Sequence, residues 1–127
     1  MNKRILIVDD ESGFREMYTF LLEPLGFELT LVVNGLEAVK KVMEKTFDLI
    51  IMDVHMPVMT GPEALKKIKE IRPDQKVIIL SSSSDPEHIL ETDVQRQGVI
   101  ACLYKPADLA DLEAAIEKAL GPLEKPL

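Results

Sequence analysis

Two patterns of hydrophobic positions alternate along the chain. Ile5-Leu6-Ile7-Val8, Leu49-Ile50-Ile51-Met52 and Val77-Ile78-Ile79-Leu80 are unbroken apolar runs rich in β-branched residues. Runs of this kind read as strands buried on both faces. Residues 27–33 and 100–104 supply a second and a fifth strand. Between the strands, apolar residues recur every three or four positions, as in amphipathic helices. The first such helix has Ser12 as its expected N-cap and carries Phe14, Met17, Tyr18, Leu21, Leu22 and Leu25, closed by Pro24 and Gly26. Asn34-Gly35 turns into a second helix carrying Leu36, Val39, Val42 and Met43. Gly61-Pro62 opens a third helix, with Leu65 and Ile68 inward and Pro62 acceptable in the first turn. Residues 86–97 predict a fourth, whose stripe of Ile89, Leu90 and Val94 is thin. Asp108 is the expected cap of the last helix, whose inner face is Leu112, Ala115, Ile116, Ala119 and Leu120.

Five β–α units in succession imply a parallel sheet covered by helices on both faces. One domain over residues 1–120 is expected, with 121–127 as a C-terminal tail or the start of a linker. A chain of 127 residues can bury such a core without disulfides or a structural metal. The single Cys102 excludes an intrachain disulfide and any multi-cysteine metal site. A net charge of −7, with no Lys/Arg run longer than two, argues against direct nucleic-acid binding. It suits cations or a basic protein surface instead. The first apolar run stops at Asp9-Asp10 after four residues, too short for a secretory leader. No stretch reaches membrane-spanning length, so no membrane partner and a cytoplasmic location are expected.

In open parallel α/β sheets, ligands bind outside the carboxyl ends of the strands, where strand order reverses. The polar residues that end the apolar runs are therefore the candidates. They are Asp9 and Asp10 after the first strand, Asp53 after the third, Ser81 after the fourth and Lys105 after the fifth. In a flavodoxin-like order the first and third strands are neighbours and three carboxylates converge. Close carboxylates repel one another, and a hard cation with oxygen ligands relieves that. Two or three carboxylates, with places left for water and phosphate, suit Mg²⁺ better than Ca²⁺; Mn²⁺ is an acceptable substitute. Lys105 adds a point positive charge and Ser81 a hydroxyl. This set could stabilise phosphoryl transfer onto a carboxylate. Taken singly, each residue has a plainer reading: an Asp after a strand is often a turn former or cap, and Ser81 or Lys105 a solvated turn residue.

Taken together, these residues make the chain resemble the receiver domain of two-component response regulators, from Lys3 to about Leu120. The resemblance rests on Asp9-Asp10, Asp53, Met56-Pro57, Gly61, Ser81, Lys105 and Pro106. It implies a flavodoxin-like (βα)5 sandwich with strand order 2-1-3-4-5. It implies phosphorylation of Asp53 by a sensor histidine kinase or a histidine phosphotransfer protein, with Mg²⁺ held by Asp10, Asp53, the His55 backbone carbonyl and Asp9, the last directly or through water. Ser81 would be the hydroxyl switch residue, Lys105 the site lysine, and Pro106 the proline after a cis bond. Phosphorylation would alter binding of an effector protein to the surface formed by the fourth helix, fifth strand and fifth helix. The chemistry would be self-catalysed, with acyl-phosphate hydrolysis as the reset and no separate turnover substrate.

Two positions depart from that pattern. Cys102 stands where the family expects an aromatic ring, and Pro106-Ala107 replaces a more typical Pro-Phe. Tyr104 shares a strand face with Cys102, about 6–7 Å along it, and is a candidate for part of the missing ring's role. The His55 side chain could shield or orient the attacking water or be an exposed loop residue without a role, and His88 reads as a solvated residue of the fourth helix. Two competing functions are an aspartyl-nucleophile, Mg²⁺-dependent phosphatase and a receiver-like interaction module that is never phosphorylated. The first is disfavoured by the adjacent acidic pair, where such phosphatases carry Asp-x-Asp. The second is disfavoured by the retained site residues.

Overall fold

A computed structural model describes residues 2–54, 56, 58–82, 98–105 and 107–123. Among these, the five strands are β1 (Arg4–Val8), β2 (Glu28–Val32), β3 (Leu49–Asp53), β4 (Val77–Ser82) and β5 (Ala101–Lys105). The described helices are α1 (Ser12–Leu22), α2 (Gly35–Glu44), α3 (Gly61–Ile71) and α4 (Leu109–Leu120). The strands form one parallel sheet in the order β2-β1-β3-β4-β5. This is the doubly wound flavodoxin-like order, with the reversal between β1 and β3. The helix predicted over 86–97 lies outside the described residues.

Alternation along the strands divides the core in two. Leu6, Val8, Ile50, Met52, Val77 and Ile79 pack against Ala38, Val39 and Val42 of α2 and Ala64, Leu65 and Ile68 of α3. Ile5, Ile7, Leu49, Ile51, Ile78 and Leu80 pack against Tyr18 and Leu22 of α1 and Leu112, Ala115, Ile116 and Ala119 of α4. The central strands are thus buried on both faces, which is why their sequences are apolar without interruption.

Several local expectations shift. Ser12 is the first helical residue rather than the cap; Glu11 holds the N-cap position, without a side-chain cap bond. The first helix ends at Leu22, and Glu23–Leu25 tightens into one 3-10 turn with Pro24 near its start. Gly26 follows at φ 90°, a left-handed conformation that glycine adopts without strain. In α2, Leu36 and Met43 face outward and Ala38 takes their place inside. Asn34 and Asp108 cap their helices, each accepting from a backbone N–H three residues on. The last helix buries Leu112, Ala115, Ile116 and Ala119, with Leu120 only partly covered.

Candidate functional site

Strand arithmetic delivers the charged residues to one place. Asp9 continues the row of Ile5 and Ile7, Asp53 that of Leu49 and Ile51, and Lys105 that of Ala101 and Leu103. All three therefore leave the sheet's carboxyl end on the side that carries α1. The Asp9 N–H donates to the Val32 carbonyl at 3.1 Å, and the Val54 N–H to Leu80 at 2.9 Å. These bonds extend the ladders past the strand ends and fix both aspartates. On the far side, the Gly61 N–H donates to the Val54 carbonyl at 2.9 Å. A Cβ at Gly61 would lie 2.7 Å from the Asp53 carbonyl oxygen and 2.8 Å from the Val54 Cα. Only glycine lets α3 start this close to the backbone of Asp53.

Asp9 and Asp53 are buried, at 1% and 3% exposure, while Asp10 is exposed at the mouth. One carboxylate oxygen from each lies within 4.8 Å of the other two. The Lys105 ammonium sits among them. It donates to Asp53 Oδ2 at 3.0 Å, lies 2.9 Å from Asp9 Oδ2, and is 3.8 Å from Glu11 Oε1. Burial alone would lower the Lys105 pKa, but its contacts with Asp9 and Asp53 outweigh that and hold it above the ordinary lysine value. Asp9 Oδ1 accepts from the Glu11 N–H at 3.0 Å. Its Oδ2 lies 2.9 Å from the ammonium and has no further partner among the described residues.

The donor set is all oxygen, with two buried carboxylates and one at the mouth. One lysine charge compensates only one of the three negative charges, and the buried Asp9 Oδ2 has nothing but that ammonium beside it among the described residues. These are features that a hard divalent cation satisfies. Asp9, Asp10, Asp53 and Lys105 are thus brought together as the strand ends suggested. Ser81 is buried at the same end of the sheet, one residue past Leu80, the register partner of Asp53. Cys102 is half-buried against the α2–α3 side of the core, and Tyr104 is 53% exposed on the edge strand β5. His55, Pro57, His88 and Pro106 lie outside the described residues.

Three neighbours of the site were not singled out by the strand-end reasoning. Glu11 faces the ammonium, Arg15 Nη1 donates to the Asp9 carbonyl at 2.7 Å, and Phe14 lays its ring under Lys105 Nζ, 4.0 Å from centroid to nitrogen. The sequence signal for them is helical spacing: positions 11, 14, 15 and 18 share one face of a helix that starts at the site.

The model of the response regulator receiver domain family matches residues 5–117. The chain belongs to this family. It is 36% identical over 117 residues to the transcriptional regulatory protein ZraR of Klebsiella oxytoca, covering 92% of this chain but 26% of that protein. It is 38% identical over 119 residues to the chemotaxis protein CheY of Thermotoga maritima, covering 93% and 98% of the two chains. The signal receiver domain of an HD domain-containing protein from Pseudomonas fluorescens Pf-5 superposes with a TM-score of 0.87 at 29% identity, covering 94% and 95%. The receiver chain therefore matches some relatives end to end and spans about a quarter of the length of others. It is a signalling domain of the class that interacts with histidine kinases or phosphotransfer proteins and with effectors. No described helix is long and apolar enough to cross a membrane.

Proposed function

We propose that Asp53 is the phosphoacceptor of this receiver domain, and that Asp9, Asp10 and Asp53 hold Mg²⁺ or Mn²⁺ beside it. The observation that carries this reading is the buried Asp53 carboxylate at the end of β3, bonded to Lys105 and within 4.8 Å of two further carboxylates. The bound cation would neutralise carboxylate and phosphoryl charge at once. The His55 carbonyl would be a further ligand in this reading, with Asp9 acting directly or through water.

The chain's own residues do the rest. Asp53 supplies a carboxylate oxygen that attacks the phosphorus of a phosphohistidine. The P–N bond breaks, the leaving imidazole keeps the electron pair and takes up a proton, and an acyl phosphate remains. Lys105 turns from the Asp53 carboxylate toward a phosphoryl oxygen, compensating charge where the transfer needs it. Ser81, buried at the adjacent strand end, donates its hydroxyl to a second phosphoryl oxygen. Water attack on the acyl phosphate resets the domain, so the reaction is self-catalysed and has no separate turnover substrate. The output is altered binding of an effector to the surface of the predicted helix over 86–97, β5 and α4, with Cys102, Tyr104 and Pro106 as its switch positions. Residues 1–120 form the receiver unit and 121–127 a tail or linker start, in a cytoplasmic protein.

Labelling by acetyl phosphate with and without Mg²⁺ tests the site. Wild type should take up one phosphoryl group per chain only with the cation, and Asp53→Asn none. Equal labelling of the two proteins would remove Asp53 from its role.

A further inference from the structure

The Lys105 ammonium has two kinds of neighbour, carboxylates and an aromatic ring. Asp9 and Asp53 hold it at 2.9 and 3.0 Å, and the face of Phe14 lies 4.0 Å away, centroid to nitrogen. A cation at that distance is attracted to the negative face of the ring. The ring is itself fixed: one helical turn further along α1, Tyr18 stacks against it with centroids 6.1 Å apart and planes 26° from parallel. Tyr18 is fully buried beneath β1 and β3, among Ile5, Ile7, Leu49 and Ile51. A lysine stem has four flexible carbons, and the Lys105 side chain is nevertheless only 8% exposed. Core packing of α1 thus reaches the charged site through two rings.

We propose that Phe14 is a positioning residue for phosphoryl transfer, its ring serving as a seat that keeps the Lys105 ammonium over the acceptor while the lysine exchanges carboxylate for phosphoryl oxygens. The proposal rests on the reading of Asp53 as the phosphoacceptor. Carboxylate contacts weaken when Asp53 is phosphorylated, because one of its oxygens then carries phosphorus. The ring contact does not depend on Asp53, so it persists through the transfer. A lysine without that seat would be free to swing out toward solvent during the step in which its charge is required.

Two measurements on the whole chain test this. In the unphosphorylated protein without added metal, the ring current of Phe14 should move the Lys105 ε-methylene resonances upfield of those of the other lysines. Phe14→Leu should abolish that displacement and slow acetyl phosphate labelling of Asp53 about three- to tenfold at saturating Mg²⁺. Phe14→Tyr should restore both, and Phe14→Met, which fills space without a π face, neither. Lys105 resonances that coincide with those of other lysines in wild type would overturn the proposal even if Phe14→Leu failed to fold. So would a Met variant as good as Tyr, since volume alone would then suffice. A normal Lys105 displacement in a wild type that takes no label would overturn instead the reading of Asp53 on which the proposal stands.

Discussion

Two buried positions near the site carry opposite consequences for single substitutions. At Gly61 there is no room: a methyl group would press within 2.8 Å of the Asp53–Val54 backbone, and backbone cannot give as a side-chain tip can. Gly61→Ala should destabilise the fold by about 1–3 kcal/mol, the usual cost of overpacking, and displace the Asp53 amide resonance. Urea denaturation and an amide spectrum check both parts; a wild-type midpoint would mean that α3 can retreat from β3 without loss. Tyr18 shows the reverse. Its hydroxyl is buried without a hydrogen-bond partner among the described residues, and burial, with the nearby charges of Asp9, Asp53 and Glu11, pushes its pKa far above the usual tyrosine value. A buried phenol in that state costs stability relative to phenylalanine, because its bond to water is lost and not replaced. Tyr18→Phe should therefore stabilise the chain by about 1 kcal/mol while keeping the stack on Phe14. A loss of stability instead would mean that the hydroxyl bonds to water in solution.

At the scale of elements, α3 opens with a capping box. The Thr60 hydroxyl accepts from the Glu63 N–H at 3.3 Å, and Glu63 Oε1 accepts from the Thr60 N–H at 3.2 Å. Thr60→Ala should cost about 1 kcal/mol, the usual value of an N-cap. The Thr60 backbone N–H first, and its hydroxyl second, lower the Glu63 pKa. A carboxylate with a lowered folded pKa adds stability that is fully present above its unfolded value, about 4.3. That stability is lost as pH falls through the lower, folded value. Wild type should thus exceed Glu63→Ala in stability at neutral pH, and acid titration of both unfolding midpoints should bring them together. A gap that stays constant into acid would remove the carboxylate from the cap. The elements themselves were legible because β1, β3 and β4 are buried on both faces and spell continuous apolar runs. Their ends were less so. Ser12 suits an N-cap by type, yet Glu11 takes that position. Leu36 and Met43 have helical spacing, but a stripe of Ala38, Val39 and Val42 already fills the space against β1. Helical spacing puts Glu11, Phe14 and Arg15 on one face near the site, but spacing alone does not give them a role there. The roles of Glu11 and Phe14 depend on where a residue of β5, about ninety positions away, places its ammonium, and that of Arg15 on the Asp9 carbonyl at the end of β1.

At the scale of the molecule, the site is also a tie between strands. Lys105 comes from the edge strand β5, Asp9 from the end of β1 and Asp53 from β3, so one ammonium links both halves of the sheet across its switch point. Without it, two buried carboxylates would face each other beside the exposed Asp10. Removing one partner of a buried pair costs far more than a surface pair is worth, about 3–5 kcal/mol, because the remaining charge stays buried and uncompensated. Lys105→Met keeps most of the stem and deletes the charge. In metal-free buffer it should unfold at a clearly lower temperature than wild type. A divalent cation adds stability according to its affinity for the folded state alone. That affinity should rise in the variant, where no ammonium competes for Asp9 and Asp53. Saturating Mg²⁺ should therefore recover most of the variant's deficit while raising the wild-type midpoint less, and a chelator should reverse both. The sign of this difference separates a cation site from a merely acidic surface. Exposed carboxylates would give both proteins the same small response to Mg²⁺, whereas a buried pair sharing its oxygens between lysine and metal makes the loss of one raise the need for the other.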